Sequence, residues 1–238
     1  MSYFIFKNGD SRDYGLLEGT PMFPTTHEII NIIDVEGRTV KPVAHTGTME
    51  NMTITAVLGM KSREDVRAAY GWLNETGNLI FSDEIDKFYK VREIQLTPER
   101  LSQRFGKITI DFTVEPFAYA VEPTSVDLTA ASSYTDVNNR GTVFSEPEFR
   151  FTPTAAQPFL LNVNGGVFRV DVPVELVNKE IIIDCAAQVT YYEDDNNNKV
   201  SINQLTYNNY PLLHTGMNYA KHDGGISSLI CNVRERWL

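Results

Sequence analysis

The sequence is poor in the side chains on which metal binding and covalent catalysis depend. Its 238 residues include two cysteines, two tryptophans and four histidines. Cys185 and Cys231 lie far apart, each in an apolar run, which favours two buried free thiols over a disulfide or a metal pair. The chain has no GxSxG sequence, no phosphate-binding glycine loop and no CxxC pair. We therefore nominate no catalytic, cofactor-binding or metal-binding residue, and we expect that the protein is not an enzyme.

Basic charge and long apolar runs are also scarce. The chain has 21 Lys+Arg against 31 Asp+Glu, a formal net charge of −10. Affinity-driven nucleic-acid binding is disfavoured, because it needs clustered Lys and Arg that displace counterions. No run approaches the ~20 apolar residues of a membrane helix, so no membrane partner is expected. The apolar patch Tyr3–Phe6 is too short for a signal segment, which predicts synthesis in the cytoplasm.

Two patterns imitate metal sites. His214 and His222 flank TGMNYAK, which we interpret as a loop. A metal site there is the alternative to two surface or hydrogen-bonding histidines, which we favour. The segment that begins at Asp194, DDNNN, resembles the start of a calcium loop. Lys199 replaces the glycine of such a loop and Leu205 replaces its glutamate, so we predict a solvated hairpin tip instead.

One stretch has a clear helical pattern. Ser62 is placed to cap the first turn, and Gly77 is expected to end the helix. The apolar stripe, with the spacing i, i+3, i+4, i+7, consists of Val66, Ala69, Tyr70 and Leu73. Because only one side is apolar, the helix is expected to pack on a sheet.

The segment after the helix predicts three strands. Asn78–Ser82 and Phe88–Leu96 are strand-like, and the second changes its apolar parity, which indicates a bulge near Arg92–Glu93. Thr97–Gly106 is interpreted as a polar connection. The third strand has strict period two and is expected to end at Pro116. Its buried face is predicted to consist of Ile108, Ile110, Phe112 and Val114.

Before the helix, the pattern is also mostly β. Asn8-Gly9 is a strong hairpin signal. Glu28–Val35 is strand-like, and Lys41–Thr46 is interpreted as a loop. Met52–Leu58 alternates apolar and other residues, as a half-buried strand does.

A change of composition after Pro116 predicts a domain boundary. We place a linker around Glu122–Ser133, with one domain at residues 1–128 and a second at residues 129–238. The second domain has strands about every 8–12 residues and no helical pattern, which is typical of a β-sandwich. The predicted strands are Glu148–Thr152, Pro158–Asn164, Gly166–Val172, Glu180–Asp184, Gln188–Tyr192, Val200–Asn203 and Ile226–Arg234.

Several segments, in order, resemble one known family. The helix followed by LIFSDEIDKFYKVREIQL and GKITIDFTVEPFAYAVEP is similar to the N-terminal domain of distal tail proteins. These proteins belong to long-tailed, non-contractile phages of Gram-positive hosts. FKNGDSRDYGL and IDVEGR fit the same domain. NNRGTVFSEPEFRF, IIIDCAAQVTYY, LLHTGMNY and ISSLICNVRERW resemble the family's galectin-like C-terminal domain, so the resemblance covers nearly the whole chain.

The resemblance implies a mainly β virion protein, with a tail-tube-like, ring-forming N-terminal domain that has one helix and a galectin-like β-sandwich. In this family six copies form a ring at the tail tip. The ring joins the tail tube to the baseplate and leaves a channel that DNA passes without specific binding. The implied partners are further copies of the chain, the major tail tube protein, the tail-associated lysin or tip protein and often a receptor-binding protein.

Carbohydrate binding is the alternative function, by a β-sandwich module that recognises the host cell wall. Lectin sites of the galectin fold combine a tryptophan with a His-Asn-Arg set. In this chain Trp72 lies in the helix, Trp237 is next to the last residue, and no His-x-Asn-x-Arg pattern occurs. We therefore favour a structural role, because a fold alone does not establish a function.

Overall fold

Contacts in the computed structural model divide the chain between Val121 and Glu122 into an N-terminal unit and a C-terminal unit. The structure describes residues 2–34, 36, 39–41, 43–100, 106–130 and 133–238. Within these residues it is mainly β, with one α-helix, as the sequence predicts. This division lies directly before the predicted linker, Glu122–Ser133, whereas the sequence places the domain boundary between residues 128 and 129.

The N-terminal unit contains nine described strands, one α-helix and a short 3-10 helix at Ser11–Asp13. In chain order the strands and the helix are β1 Phe4–Phe6, β2 Gly9–Asp10, β3 Leu16–Leu17, β4 Glu28–Ile32, β5 Val43–Met49, β6 Met52–Met60, α1 Arg63–Trp72, β7 Gly77–Phe81, β8 Lys87–Arg100 and β9 Gly106–Ala120.

Seven of these strands form one antiparallel sheet with the order β2-β1-β7-β8-β9-β6-β3. β6 and β9 pair in register, with Ile54 opposite Phe112. Their alternating apolar residues all point to one face, where they are buried, as the strict period of two requires. These residues are Met52, Ile54, Ala56, Leu58, Ile108, Ile110, Phe112 and Val114. The predicted buried faces of both strands are therefore confirmed.

The helix begins where the sequence predicts. The Ser62 hydroxyl accepts the Asp65 N–H at 3.1 Å, which satisfies one of the unpaired donors of the first turn. Ala69 and Leu73 are buried, whereas Val66 and Tyr70 are half-buried, so the predicted stripe is fully covered only at its C-terminal end.

The predicted end of the helix is wrong. The helix ends at Trp72, and the Leu73 N–H still donates to the Ala69 carbonyl at 2.8 Å. Gly77 instead starts β7, opposite Val91 of β8. Its lack of a side chain serves close packing, because a Cβ there would lie 2.7 Å from Cγ of Lys7.

Trp72 connects the helix to the start of the sheet. Its indole N–H donates to the Phe6 carbonyl at 3.0 Å. The ring stacks on Tyr14 at 4.4 Å and on Phe4 at 5.4 Å between centroids. A Cβ at Gly9 would lie 2.3 Å from the indole nitrogen, so the β1–β2 hairpin needs glycine at this position. That hairpin confirms the Asn8-Gly9 signal.

The bulge in β8 is confirmed. The register against β9 shifts between Tyr89 and Val91 and again between Val91 and Glu93, so the apolar parity changes as the sequence indicates. β8 continues through residues 97–100, which corrects the predicted polar connection from Thr97; residues 101–105 of that connection lie outside the described chain. β9 continues past Pro116, which corrects its predicted end.

Pro116 is tolerated inside β9 for two structural reasons. Pairing with β6 stops at Val114, opposite Met52. On the other side, the register against β8 moves from Ala118 to Val114 across the bulge. Pro116 therefore lies where the regular ladder is interrupted, so its missing N–H costs no regular ladder hydrogen bond.

The C-terminal unit contains twelve described strands and short 3-10 helices at Val174–Leu176 and Asn203–Leu205. The strands are β10 Ser125–Asp127, β11 Thr135–Asn139, β12 Glu148–Pro153, β13 Pro158–Val163, β14 Gly166–Asp171, β15 Ile181–Asp184, β16 Val189–Glu193, β17 Lys199–Ser201, β18 Thr206–Tyr207, β19 Gly216–Asp223, β20 Ile226–Asn232 and β21 Arg236–Trp237.

Two antiparallel sheets of this unit form the predicted sandwich. The six-stranded sheet has the order β10-β20-β12-β15-β16-β17, and the five-stranded sheet has the order β11-β19-β13-β14-β18. Their inner faces share one apolar core, to which the first sheet contributes Phe149 and Phe151 and the second contributes Phe159 and Phe168. Phe151 and Phe159 stack across the core with 4.0 Å between ring centroids. All seven strands predicted for this region are present.

Two predictions for the C-terminal unit are wrong. The TGMNYAK segment is not a loop but part of β19, which pairs with both β11 and β13. Much of the expected linker is folded into the sandwich, because Ser125–Asp127 pairs with β20 and Leu128 is buried in the core. Both segments are rich in polar and small residues, which do not predict a strand locally, and their strand partners are distant in sequence.

Candidate interaction surfaces

The described residues contain no group of three or more His, Cys, Asp or Glu side chains that are placed to hold a metal ion. His214 is exposed. His222 is half-buried on β19, and its Nε2–H donates to the Thr129 carbonyl at 3.1 Å. The structure thus gives His222 a hydrogen-bonding role within the fold.

The segment that resembles a calcium loop is the tip of the β16–β17 hairpin. The Asp194 carboxylate accepts the backbone N–H groups of Asn198 at 2.8 Å and Asn196 at 2.9 Å. Its second oxygen accepts the side-chain amide of Asn198 at 3.1 Å. These hydrogen bonds, the Asn198 backbone N–H first, lower the pKa of Asp194. The carboxylate closes its own turn, and the predicted hairpin tip is confirmed.

Both cysteines are buried free thiols, as predicted. Cys185 and Cys231 belong to the core of the sandwich. Burial raises the pKa of both thiols, because the apolar surroundings disfavour the charged thiolate. The reactive form of each side chain is therefore suppressed.

The most conspicuous surface of the N-terminal unit is the ribbon, which we define as the β4–β5 pair. These two strands form a sheet of their own, in which Ile30 lies opposite His45. Val43–Met49 is thus a strand, which corrects the predicted Lys41–Thr46 loop at its described residues. Lys41 itself lies outside the strand. A two-stranded antiparallel pair is marginally stable in water unless something packs against it.

The ribbon is exposed on both faces and carries large apolar side chains. Its register shifts between Glu28 and Ile30. Beyond this shift successive residues point to opposite faces, and Asn31 and Ile32 are both exposed. Ile32 is 63% exposed, and Val43, its partner in register, is exposed as well. Neither face is therefore covered by the rest of the described chain. Apolar surface of this kind commonly marks a site of protein–protein contact.

Polar contacts at one end hold the ribbon in register. The Glu28 carboxylate accepts from Nδ1 of His45 at 2.8 Å and from the Gly47 N–H at 2.8 Å. These hydrogen bonds, the one from His45 first, lower the pKa of Glu28. The Thr46 hydroxyl donates to the Ile29 carbonyl. The ribbon has an internal polar framework, but its apolar residues lack a core within the described part of the chain.

The charged side chains on the polar face of β9 have neighbouring partners. Glu115 pairs with Arg92 and lies 3.7 Å from the Lys90 ammonium. Lys107 pairs with Glu18 at 2.6 Å. Asp111 accepts from the Thr55 hydroxyl of β6 at 2.5 Å. This face therefore combines carboxylates with neighbouring cations, and its carboxylates are held by local contacts.

The whole chain can be compared with a solved structure. The fold is that of the SPP1 Dit protein. The two structures match with a TM-score of 0.76 over 100% of each chain, at 15% sequence identity. The SPP1 protein is described as a paradigm of the hub adsorption apparatus in phages that infect Gram-positive bacteria. The mainly β, Dit-like fold implied by the sequence resemblance is thus confirmed.

Sequence comparisons add no closer assignment. No protein-family model matches the chain, and no curated protein matches its sequence. None of the helices in the described part of the chain has the length and apolar character needed to cross a membrane.

Sequence reasoning missed the ribbon as a candidate surface. The sequence predicts a strand at Glu28–Val35 but does not indicate which of its faces is buried, and it predicts a loop at Lys41–Thr46. The run EIINIID contains four isoleucines within seven residues and is apolar on both strand faces. That pattern is a signal for an interaction surface, because a half-buried surface strand normally has one polar face.

Proposed function

We propose that this protein is a structural component of a phage tail tip, a distal tail protein whose copies assemble into a ring. The observation that carries the proposal is the likeness to SPP1 Dit over the full length of both chains. The ordered sequence segments that resemble the same family support it independently. In this proposal the work of the protein is geometric, and no side chain has a catalytic role.

The ribbon supplies the contact between neighbouring copies. Its isoleucines are exposed in the described part of their own chain, so burial against a second copy would remove apolar surface from water. A contact between the ribbon and a different surface of the neighbour is head-to-tail, and such contacts close into a ring when the rotation fits. By the family resemblance, we propose six copies.

The ring would join the tail tube to the tip and leave a channel for DNA. The proposed partners are the major tail tube protein on one side and the tail-associated lysin or tip protein on the other. The net charge of −10 supports passage without adhesion, because phosphate binding needs clustered cations. The N-terminal unit, which carries the ribbon, is proposed to form the ring.

The test is the state of association of the purified protein and its dependence on the ribbon. Ile30→Asp combined with Ile32→Asp places charge on exposed positions of β4. We expect the native protein to form rings in negative-stain images and the double variant to remain monomeric with an unchanged melting temperature. Ile85→Asp is the matched control, since Ile85 is 58% exposed in the turn between β7 and β8. Rings that persist in the double variant would contradict the role of the ribbon.

A further inference from the structure

The β13–β14 hairpin of the sandwich ends in a turn at Asn164-Gly165, with an open cleft on each side. The larger cleft, of ≈ 560 Å³, lies between this hairpin and the loop at residues 208–214. The smaller, of ≈ 370 Å³, is lined by Tyr134, Asn164, Gly165 and Tyr219. Asn164 lines both clefts, and we call the two clefts together the groove.

A buried amide holds the walls of the larger cleft together. Asn218 is fully buried on β19. Its side-chain oxygen accepts the His214 backbone N–H at 2.8 Å and the Asn164 side-chain amide at 2.7 Å. Its side-chain nitrogen donates to the carbonyls of His214 at 2.8 Å and Gly216 at 2.9 Å. A single buried side chain therefore positions residues on both walls.

The turn itself is also fixed. Asn164 adopts a left-handed backbone conformation, with φ of 52°, and its side-chain oxygen accepts the Tyr219 N–H at 3.0 Å. Asn162 accepts the Gly165 N–H at 3.0 Å. Groups held in this way lose little freedom when a ligand binds, which favours affinity.

The lining of the groove is mostly polar. In both clefts, the described lining contains no Asp, Glu, Lys or Arg. The side chains of Asn209 and His214 are exposed, and both donate and accept hydrogen bonds. Val167 and Leu212 add exposed apolar surface beside them. A ligand that offers hydroxyl or amide groups next to C–H surfaces fits this lining, and the lining offers no carboxylate, ammonium or guanidinium group to pair with a charge on the ligand.

Aromatic rings flank the smaller cleft. Tyr134 and Tyr219 are each 50% exposed. The Tyr134 hydroxyl donates to Asn162 at 3.3 Å, and the Lys221 ammonium lies 4.7 Å from the ring centroid, so this ring is held in place. Exposed tyrosine rings present an apolar face and a polar tip, which suits the C–H face of a pyranose ring and its hydroxyls.

We propose that this groove binds a neutral oligosaccharide, with one sugar ring on the tyrosine side of the turn and another on the Asn209–His214 side. Neutral sugars supply hydroxyls for the amide and imidazole groups and C–H faces for the aromatic and aliphatic surfaces. Anionic polymers are disfavoured because the lining provides no cation to pair with phosphate. The site goes beyond the proposed role at the tail tip and does not depend on ring formation.

The test uses saturation-transfer NMR and titration of the full-length protein with four probes. Three are neutral (maltohexaose, galactohexaose and chitohexaose), and the fourth, poly(glycerol phosphate), is anionic. We expect at least one neutral probe to bind. We also expect Asn209→Ala combined with His214→Ala, and separately Tyr219→Ala, to weaken that binding about fivefold or more. His214→Gln, which keeps a hydrogen-bonding group, should bind better than His214→Ala.

A matched control and two contrary outcomes complete the test. Val174→Ser alters an apolar residue of the same unit that is 75% exposed and lines neither cleft, so binding should be unchanged. Melting temperatures should be equal across the variants, because every altered side chain is exposed. Failure of all three neutral probes, or undiminished binding by the groove variants, would overturn the proposal. Preferential binding of poly(glycerol phosphate) would overturn the inference of an uncharged ligand.

Discussion

Leu73 tests how the helix is attached to the N-terminal sheet. The side chain is buried at the end of α1, where its backbone N–H still continues the helical hydrogen bonds. Leu73→Ala removes three carbons at about 0.8 kcal/mol each, which gives about 2.4 kcal/mol of lost burial. The cavity that remains adds to this, so we expect a total loss of about 2–5 kcal/mol in the free energy of unfolding.

The assay is urea denaturation followed by tryptophan fluorescence, since Trp72 reports on the unit that contains the helix. The midpoint should fall while the slope of the transition stays unchanged. Arg67→Ala is the control, because Arg67 is exposed on the same helix and its loss should change stability by no more than about 0.5 kcal/mol. Equal midpoints for Leu73→Ala and the native protein would refute the packing of this helix.

Three further predictions concern thiols, pH and DNA. Cys185 and Cys231 should resist a thiol reagent in the native protein at pH 8 and react fully in denaturant; rapid native labelling would show that they are accessible. Burial acts to raise the pKa of Asp184, but hydrogen bonds, chiefly from Arg234, lower it overall. The ionised Asp184 therefore stabilises the fold above its unfolded pKa of about 4, and this stabilisation is lost as the pH falls through the lower pKa of the folded state. Asp184→Asn should therefore flatten the acid dependence of the urea midpoint, and an unaltered dependence would contradict this. Gel-shift titration at low ionic strength should detect no binding to duplex DNA; micromolar affinity with a steep salt dependence would contradict the charge argument.

Local patterns predicted the parts of the fold that local physics determines. β9 has a strict period of two because one face lies in the core and the other is polar, and the burial of Phe112 follows directly. The Ser62 cap was predictable because a cap depends on residues within one helical turn. The bulge in β8 was visible because one extra residue changes the parity of every apolar position after it.

The errors arose where distant pairing overrides local preference. Pro116 normally ends a strand, yet β9 continues through it because the neighbouring ladders are interrupted at that point. β19 is rich in polar residues and resembles a loop, but two partner strands satisfy its backbone. Gly77 was assigned to the helix end because its packing against Lys7, a residue distant in sequence, has no local signal.

The candidate surfaces were the least predictable features. The groove brings Asn164 together with His214 and Asn218, which lie close to each other in a distant segment, and only the fold places Asn218 between the other two. The sequence does show that Asn218 lies beside apolar neighbours in a segment near His214, but it gives no sign of what the amide contacts. Sites assembled from distant segments by a β-sandwich cannot be derived from spacing alone.

The most direct test of the ring is the mass of the purified protein in solution, measured by multi-angle light scattering over a wide range of concentration. One chain has a mass of 26.9 kDa. A ring of six predicts a species of six times that mass, which the Ile30→Asp and Ile32→Asp substitutions together convert to the mass of one chain. A single monomeric species for the native protein at every concentration, together with the absence of a ring in images of the virion tail tip, would contradict the proposal.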